Sequence, residues 1–147
     1  MQKEELNKIL EEHTKFIISN SNKMNGAYLP KADLSGANLY GAYLGESVLF
    51  GANLQDANLK GASFYNANLK DAKLTNANLE GASFHHANLE NANLENANLK
   101  GASFHFANLE GAKLEGAYFK ETIICKTNYN YLIDNGIDKD DLTFKLW

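Results

Sequence analysis

Large apolar residues recur at every fifth position from Leu29 to Phe119, and the residue two places before each of them is nearly always alanine. A period of five matches neither an amphipathic helix, which repeats every ~3.6 residues, nor the strict alternation of a half-buried strand. A short fixed period sustained along most of a chain is typical of tandem repeats, in which each unit packs on its neighbours. The pattern therefore predicts a solenoid.

A second period of twenty lies on top of the first, because Gly-Ala pairs begin at Gly41, Gly61, Gly81 and Gly101. Four units per period predict a coil with four sides, whose successive turns stack at about 4.8 Å. A duplication of twenty residues without such a coil would give the same period. We name the sides by their central apolar residues: side A has Met24, Leu44, Phe64, Phe84, Phe104 and Ile124, side B runs from Leu29 to Leu109, side C from Leu34 to Leu114 and side D from Leu39 to Phe119.

Each unit of five divides into inward and outward positions. The central residue and the alanine two places before it point inward, where close packing excludes a second large side chain. The last residue of the unit is Gly, Asn or Asp at 14 of 17 places between residues 36 and 116, as a tight corner with positive φ requires. The exceptions, Glu46, His86 and Phe106, all lie on side A, which predicts a different turn type along that edge.

The units Ala32-Asp33-Leu34-Ser35-Gly36 and Ala37-Asn38-Leu39-Tyr40-Gly41 resemble those of the pentapeptide-repeat family. That resemblance implies an all-β solenoid, a right-handed quadrilateral β-helix. We expect one domain over residues 1–147, with about five coils over residues 21–130. The Asn residues before the centres, such as Asn38, Asn58, Asn78 and Asn98 on side D, are expected to form hydrogen-bonded ladders.

The two ends of the chain depart from the repeat. Residues 3–19 have apolar residues at helical spacing and early acids, which predicts an amphipathic helix that caps the first coil; a helix lying on a membrane surface is the alternative. The last segment, residues 131–147, is apolar, and its cap or dimer residues are Tyr131, Leu132, Ile133, Leu142, Phe144 and Trp147. Asp138 is the expected N-cap of a short helix ending near Leu146. The segment either closes the coil or joins two copies into a homodimer.

Catalytic motifs are missing from the sequence. It has no arginine, no paired CxxC, no HExxH and one cysteine, Cys125, expected to be a small buried or half-buried apolar residue. The missing motifs favour a protein that is not an enzyme and has no cofactor or metal, and the missing arginine argues against nucleic-acid binding. We expect no membrane binding, because no apolar run approaches the ~20 residues of a membrane span. The acid-rich first twelve residues do not resemble a secretory signal, so we expect a cytoplasmic bacterial protein.

Two surface features are candidate binding sites. The first is a stripe of aromatic and histidine residues along one edge of side A, which we name the aromatic stripe: Tyr65, His85, His86, His105 and Phe106. The stripe either serves packing, binds a protein partner or, with its histidines, holds a metal ion. The second feature is an acidic patch on sides B and C, formed by Glu90, Glu95, Glu110 and Glu115.

The expected function is a scaffold that binds a protein partner of unknown identity. The resemblance implies an alternative, because quinolone-resistance members of the family imitate DNA and bind type II topoisomerases such as gyrase. Residues 31–120 carry nine acids against seven lysines, a net charge of only −2, which weakens that alternative.

Overall fold

In the computed structural model, which describes residue 8 and residues 26–145, the repeats form a four-sided coil. Parallel bridges join residues twenty apart on every side, from Tyr28 and Val48 at one end to Ser103 and Ile123 at the other. Each turn of the coil therefore stacks in register on the next, as the twenty-residue period predicts. The predicted helix over residues 3–19 lies outside the described residues, apart from Lys8, which is helical.

The hydrophobic core consists of the central Leu and Phe residues and the alanines two places before them. Leu44, Leu49, Phe84 and Leu94 are all fully buried. On side A the Phe rings stack in a column as predicted, with centroids 5.0 Å apart between Phe64 and Phe84 and 4.8 Å apart between Phe84 and Phe104. Because the coil is narrow, most partners of these large residues are buried alanines.

The corners are alike on all four sides. Every fifth residue from 31 to 121 has a positive φ, and Glu46, His86 and Phe106 share it at 57°, 58° and 54°. The prediction of a different turn type along the edge of side A is therefore wrong. The reason lies in the backbone: the corner N–H of His86 donates to the next turn at His105 (2.9 Å), and Ala87 N–H donates to Phe84 (3.0 Å), as at the other corners. This ladder fixes the corner whatever side chain it carries.

Asn side chains link successive turns on the outer surface. On side D, Asn58 donates to Asn38 at 3.0 Å and Asn98 donates to Asn78 at 3.2 Å. A similar bond joins Asn108 to Asn88 on side B at 3.3 Å. The ladder expected on side D is thus found in two of its steps.

The coil ends in four short elements. Strand β1 is Thr122–Ile124, helix α1 is Lys126–Asp134, a 3₁₀ helix is Lys139–Asp141, and strand β2 is Leu142–Phe144. The coil had been expected to continue to residue 130, and the last helix to end near Leu146; the structure corrects both. Asp138 does cap its helix, because its carboxylate accepts the N–H of Asp140 at 2.9 Å, but that helix ends at Asp141.

Strand β2 returns to side A in the register of the repeat. It pairs in parallel with β1, with Thr122 opposite Leu142 and Ile124 opposite Phe144, again twenty residues apart. The next centres on sides B, C and D would be Tyr129, Asp134 and Lys139, of which the last two cannot be buried as unpaired charges. Sides C and D therefore cannot gain another rung, Tyr129 of side B lies in α1, and β2 adds a rung to side A.

Helix α1 packs against the last turn of the coil. Leu132 is fully buried and joins the core. Asn128 donates its side-chain amide to the Phe104 carbonyl at 3.0 Å, and the Tyr131 hydroxyl donates to the Ala112 carbonyl at 3.0 Å. These side chains satisfy carbonyl groups of the last turn. The Phe144 side chain and Trp147 lie outside the described residues.

Candidate functional site

Side A differs from the other sides in the residue before each centre. On most turns of sides B, C and D this residue is Asn, whose oxygen accepts the N–H two residues further on, as Asn88 does for Glu90 at 3.0 Å. Side A has serine there in three successive turns, at residues 63, 83 and 103. Among the described residues, no hydrogen-bond partner is found for the backbone N–H of Tyr65, His85 and His105. Side A therefore presents these donors in three successive turns, whereas on the other sides an Asn or Asp covers most of them and the open ones, at Phe50, Thr75, Glu115 and Lys120, are not on successive turns.

The residues after the centres on side A form a second column. It contains Tyr65, His85, His105, Cys125 and, through β2, Lys145, each twenty residues from the last. The sequence-based stripe included the first three and missed Cys125 and Lys145. The twenty-residue period contained the signal for both residues, because it places Cys125 and Lys145 in the same column once side A continues through β2.

The aromatic stripe is one contiguous cluster. The His85 and His105 rings meet edge to face, with centroids 5.0 Å apart, and the Tyr65 and His86 rings do so at 6.0 Å. His86 stacks on Phe106, with centroids 5.1 Å apart and ring planes 12° apart. The structure thus brings all five predicted residues of the stripe together.

A groove of about 490 Å³ runs along side A beside the stripe. Its walls include Ser83, Ser103, His85, His105 and Phe106, with Ile123 and Lys145 at one end. The small serine side chains leave the room that Asn fills elsewhere. His85 Nε2 lies 2.9 Å from Ser103 Oγ within it.

His105 is the buried polar group of this groove. Only 6% of its surface is exposed, and its Nδ1 has no hydrogen-bond partner among the described residues. Burying a polar atom without a partner costs about 1 to 3 kcal/mol, so such atoms are few in native structures. His105 lines the groove, while its unpaired Nδ1 is buried within the coil.

Two groups of side A have altered acidity. Burial, with the nearby His105 and His86, lowers the pKa of His85 below its ordinary value. Burial would raise the pKa of Cys125, but hydrogen bonds from the Thr127 hydroxyl and the Phe106 N–H outweigh it and lower that pKa. The Cys125 sulfur lies 3.4 Å from the Phe106 nitrogen and so takes the place of a ladder carbonyl where the coil gives way to α1. This explains the buried position that Cys125 was expected to have.

The structure limits the metal hypothesis for the stripe. Within the described residues, no group of three or more His, Cys, Asp or Glu side chains is arranged to hold a metal ion.

In the same part of the chain, no helix combines the length and the apolar character that a membrane span requires.

The acidic patch is partly neutralised. Glu90 forms an ion pair with Lys70, with nitrogen and oxygen 2.8 Å apart. Glu95 accepts a hydrogen bond from the Asn93 amide at 3.0 Å. Glu110 and Glu115 are exposed on the turn below. The patch therefore has two acids held by neighbours and two exposed.

The C-terminal residues proposed for dimerisation differ in how far they are buried. Leu132 is fully buried in its own chain, and Tyr131, Ile133 and Leu142 are half-buried. Burial also raises the pKa of the Tyr131 hydroxyl. Among these residues, Leu132 has no surface left for a second copy.

The pentapeptide-repeat model, with 8 copies of the repeat, matches residues 22–49, 42–81 and 77–116. A pentapeptide-repeat protein of the Arabidopsis thaliana thylakoid lumen is 36% identical, with a TM-score of 0.71, over 76% of this chain and 79% of that chain. The pentapeptide-repeat protein alr5209 of Nostoc PCC 7120 is 25% identical, with a TM-score of 0.52, over 95% and 94%.

The plasmid-mediated fluoroquinolone resistance protein QnrB1 matches less well, at 20% identity and a TM-score of 0.36 over 80% of this chain and 79% of that chain. No curated protein matches the chain. The matches to the family model cover well over half of the sequence, in the region where the structure has parallel bridges twenty residues apart. The chain therefore belongs to the pentapeptide-repeat family, and its coil is a right-handed quadrilateral β-helix.

Proposed function

We propose that the protein is a non-catalytic scaffold that binds a protein partner along side A. The observation that carries this proposal is Phe106, which is 54% exposed and has a φ of 54°. A bulky residue in the left-handed region is strained by about 1 to 2 kcal/mol, and most other corners relieve that strain with Gly, Asn or Asp. An exposed, strained aromatic residue serves binding better than folding.

The neighbours of Phe106 support the same use. His86 stacks on it, and Tyr65, which is 40% exposed, contacts His86 in turn. The rings repeat along a rigid ladder, so a partner could contact several of them with little ordering cost to the scaffold. Aromatic residues presented in this way are typical of interface cores.

The test is capture of partner proteins from a lysate of the native host. A variant with Tyr65, His85 and Phe106 changed to serine should lose the captured partner and keep its melting temperature nearly unchanged. The matched control changes Tyr40, Lys100 and Tyr118 on side D to serine and should retain capture. Equal capture by the stripe variant and the parent would refute the proposal.

The finer architecture is part of the same proposal. About five coils would form the rod, the helix over residues 3–19 would cap its first turn, and the segment after Cys125 would cap its last. The burial of Leu132 and the bond from Tyr131 to Ala112 favour a self-capped end over a homodimer. Light scattering tests this cap: the intact chain should be a monomer at micromolar concentration, and a dimer that disappears in a chain ending at Asn130 would reverse the assignment.

A DNA-mimicking protector of gyrase is the second candidate. The exposed Glu110 and Glu115 on neighbouring sides favour it. The ion pairs of Lys70 with Glu90 and of Lys60 with Glu80, at 3.1 Å, count against it because they cancel negative charge along the rod. A gyrase supercoiling assay decides: no effect of excess protein on supercoiling or on its quinolone inhibition removes this candidate.

A further inference from the structure

The unpaired backbone N–H groups of Tyr65, His85 and His105 point outward and can donate hydrogen bonds to a ligand. On side B the Asn88 oxygen accepts the N–H of Glu90, so the N–H at this position of a unit faces the outer surface. By the same geometry, the N–H groups of His85 and His105 face the groove, one turn apart. Oriented backbone N–H groups that lack an internal acceptor are binding sites for anionic oxygens.

The charges around the groove agree with this chemistry. The outward positions of side A next to its centres, from Tyr43 to Lys145, include no Asp or Glu. Each other side has at least one: Glu90 and Glu110 on side B, Glu95 and Glu115 on side C, and Glu80 on side D. Side A instead has histidines, and Lys145 at the end of the groove. The residues that line the groove include no Asp or Glu, and the side A corner residue Glu46 lies two turns from His86.

We infer that the groove of side A binds an acidic polypeptide segment, whose carboxylates accept hydrogen bonds from the backbone N–H groups of His85 and His105. This inference rests on the proposed function and names the chemistry of the partner. Carboxylates fit better than neutral acceptors because hydrogen bonds to ionised groups are about twice as strong. The shape favours a chain over a small molecule, since the groove runs along successive turns of the ladder.

Proton uptake should accompany this binding. His85 faces His105 and His86, with Tyr65 on the turn above and Cys125 and Lys145 further along the column. In the free protein, burial and the two histidines hold the His85 pKa below its ordinary value. A bound carboxylate favours the charged imidazole and raises that pKa, so the complex holds more protons than the free protein. The affinity therefore rises as pH falls through the range below about 6.5.

The experiment measures fluorescence anisotropy of a labelled oligoglutamate peptide of about eight residues with the full chain, beside an oligoglutamine peptide of equal length. We expect binding of oligoglutamate alone, about threefold tighter near pH 6 than near pH 8, because uptake of one proton changes the affinity by at most tenfold per pH unit. Equal binding of both peptides, or no binding of either, overturns the inference. If free glutamate competes as well as the peptide at equal carboxylate concentration, the site is a small-anion site and the polypeptide assignment fails.

Two variants make the test specific to the groove. Ser83→Asn places on side A the residue that covers the N–H on the other sides, and it should weaken peptide binding about tenfold with no loss of thermal stability. Lys100→Gln removes one positive charge from side D and should leave binding unchanged. If Lys100→Gln weakens binding and Ser83→Asn does not, the peptide responds to net charge and not to the groove.

The outcome is separable from that of the proposed function. Loss of lysate capture in the stripe variant together with failure of the peptide assay leaves side A as the binding side and refutes its acidic ligand. Lysate capture that does not depend on the stripe refutes the proposed function itself.

Discussion

Sides A and B have the same backbone conformation but differ in the outward side chains that they carry. Side B has Leu centres, Asn residues that accept the next free N–H, and a lysine and a glutamate that pair across turns. Side A has stacked Phe rings, serines that leave those N–H groups open, and a stripe of histidine and aromatic residues. Their corners nevertheless share the same positive φ. The ladder sets the backbone, so outward side chains can vary without changing the fold.

The largest expected difference between the sides lies in the core. Replacing Phe84 by Ala should destabilise the fold by about 3 to 5 kcal/mol, because the rings above and below hold the cavity open. Replacing Asn88, an outward residue of the next unit, by Ala should cost about 1 kcal/mol or less. Thermal or urea unfolding measures both. A Phe84→Ala variant that melts with the parent would contradict the stacked column.

Exchanging the type of corner residue between side A and side B tests the cost of positive φ. Phe106→Asn should stabilise the protein by about 1 kcal/mol, because Asn tolerates positive φ better than Phe. The reverse change on side B, Asn91→Phe, should destabilise it by a similar amount. Urea midpoints at constant m-value give the comparison. If Phe106→Asn is destabilising, the ring contributes more through its contact with His86 than its backbone costs, and Phe106 belongs to folding.

A smaller exchange concerns the open N–H groups. Ser83→Asn should add about 0.5 to 1 kcal/mol, since its oxygen can accept the His85 N–H, and Asn88→Ser should remove a similar amount by freeing the Glu90 N–H. Hydrogen exchange of these two amides, read by NMR, checks the cause. Slower exchange at residue 85 in the first variant and faster exchange at residue 90 in the second are expected; unchanged rates would contradict the account.

The smallest expected effect is the pH dependence of stability. The pKa of His85 is lowered in the folded state, so below about pH 6.5 the unfolded chain binds more protons at this position than the folded protein does. Stability from this group is therefore complete above that pH and decreases as the pH falls. Melting temperatures from about pH 7.5 to pH 5.5 should fall less in His85→Gln than in the parent. Lys100→Gln should follow the parent, and parallel curves for all three proteins would contradict the assignment.

Most of the fold could be predicted because each unit repeats the same local requirements. The period of five, the alanine two places before each centre and the Gly, Asn and Asp corners specify a four-sided coil in short stretches of chain. The stacked Phe rings followed from the period of twenty. The members of the aromatic stripe could be predicted for the same reason, since position in the period fixes position on the surface.

Three features could not be predicted from local pattern alone. The positive φ at Phe106 overrides the local preference of the side chain, and it goes with a bond of Ala107 N–H to the Phe104 carbonyl and a contact of Phe106 N–H with Cys125 Sγ at 3.4 Å. The return of β2 to side A depends on Asp134 and Lys139, whose charges prevent sides C and D from continuing, and on Leu132, which fills the end of the core. The open N–H column was also hidden, because it arises from an absent acceptor. The sequence thus determined the repeating backbone, while the tertiary structure decided how the coil ends and which donors stay open, since both depend on contacts between distant residues.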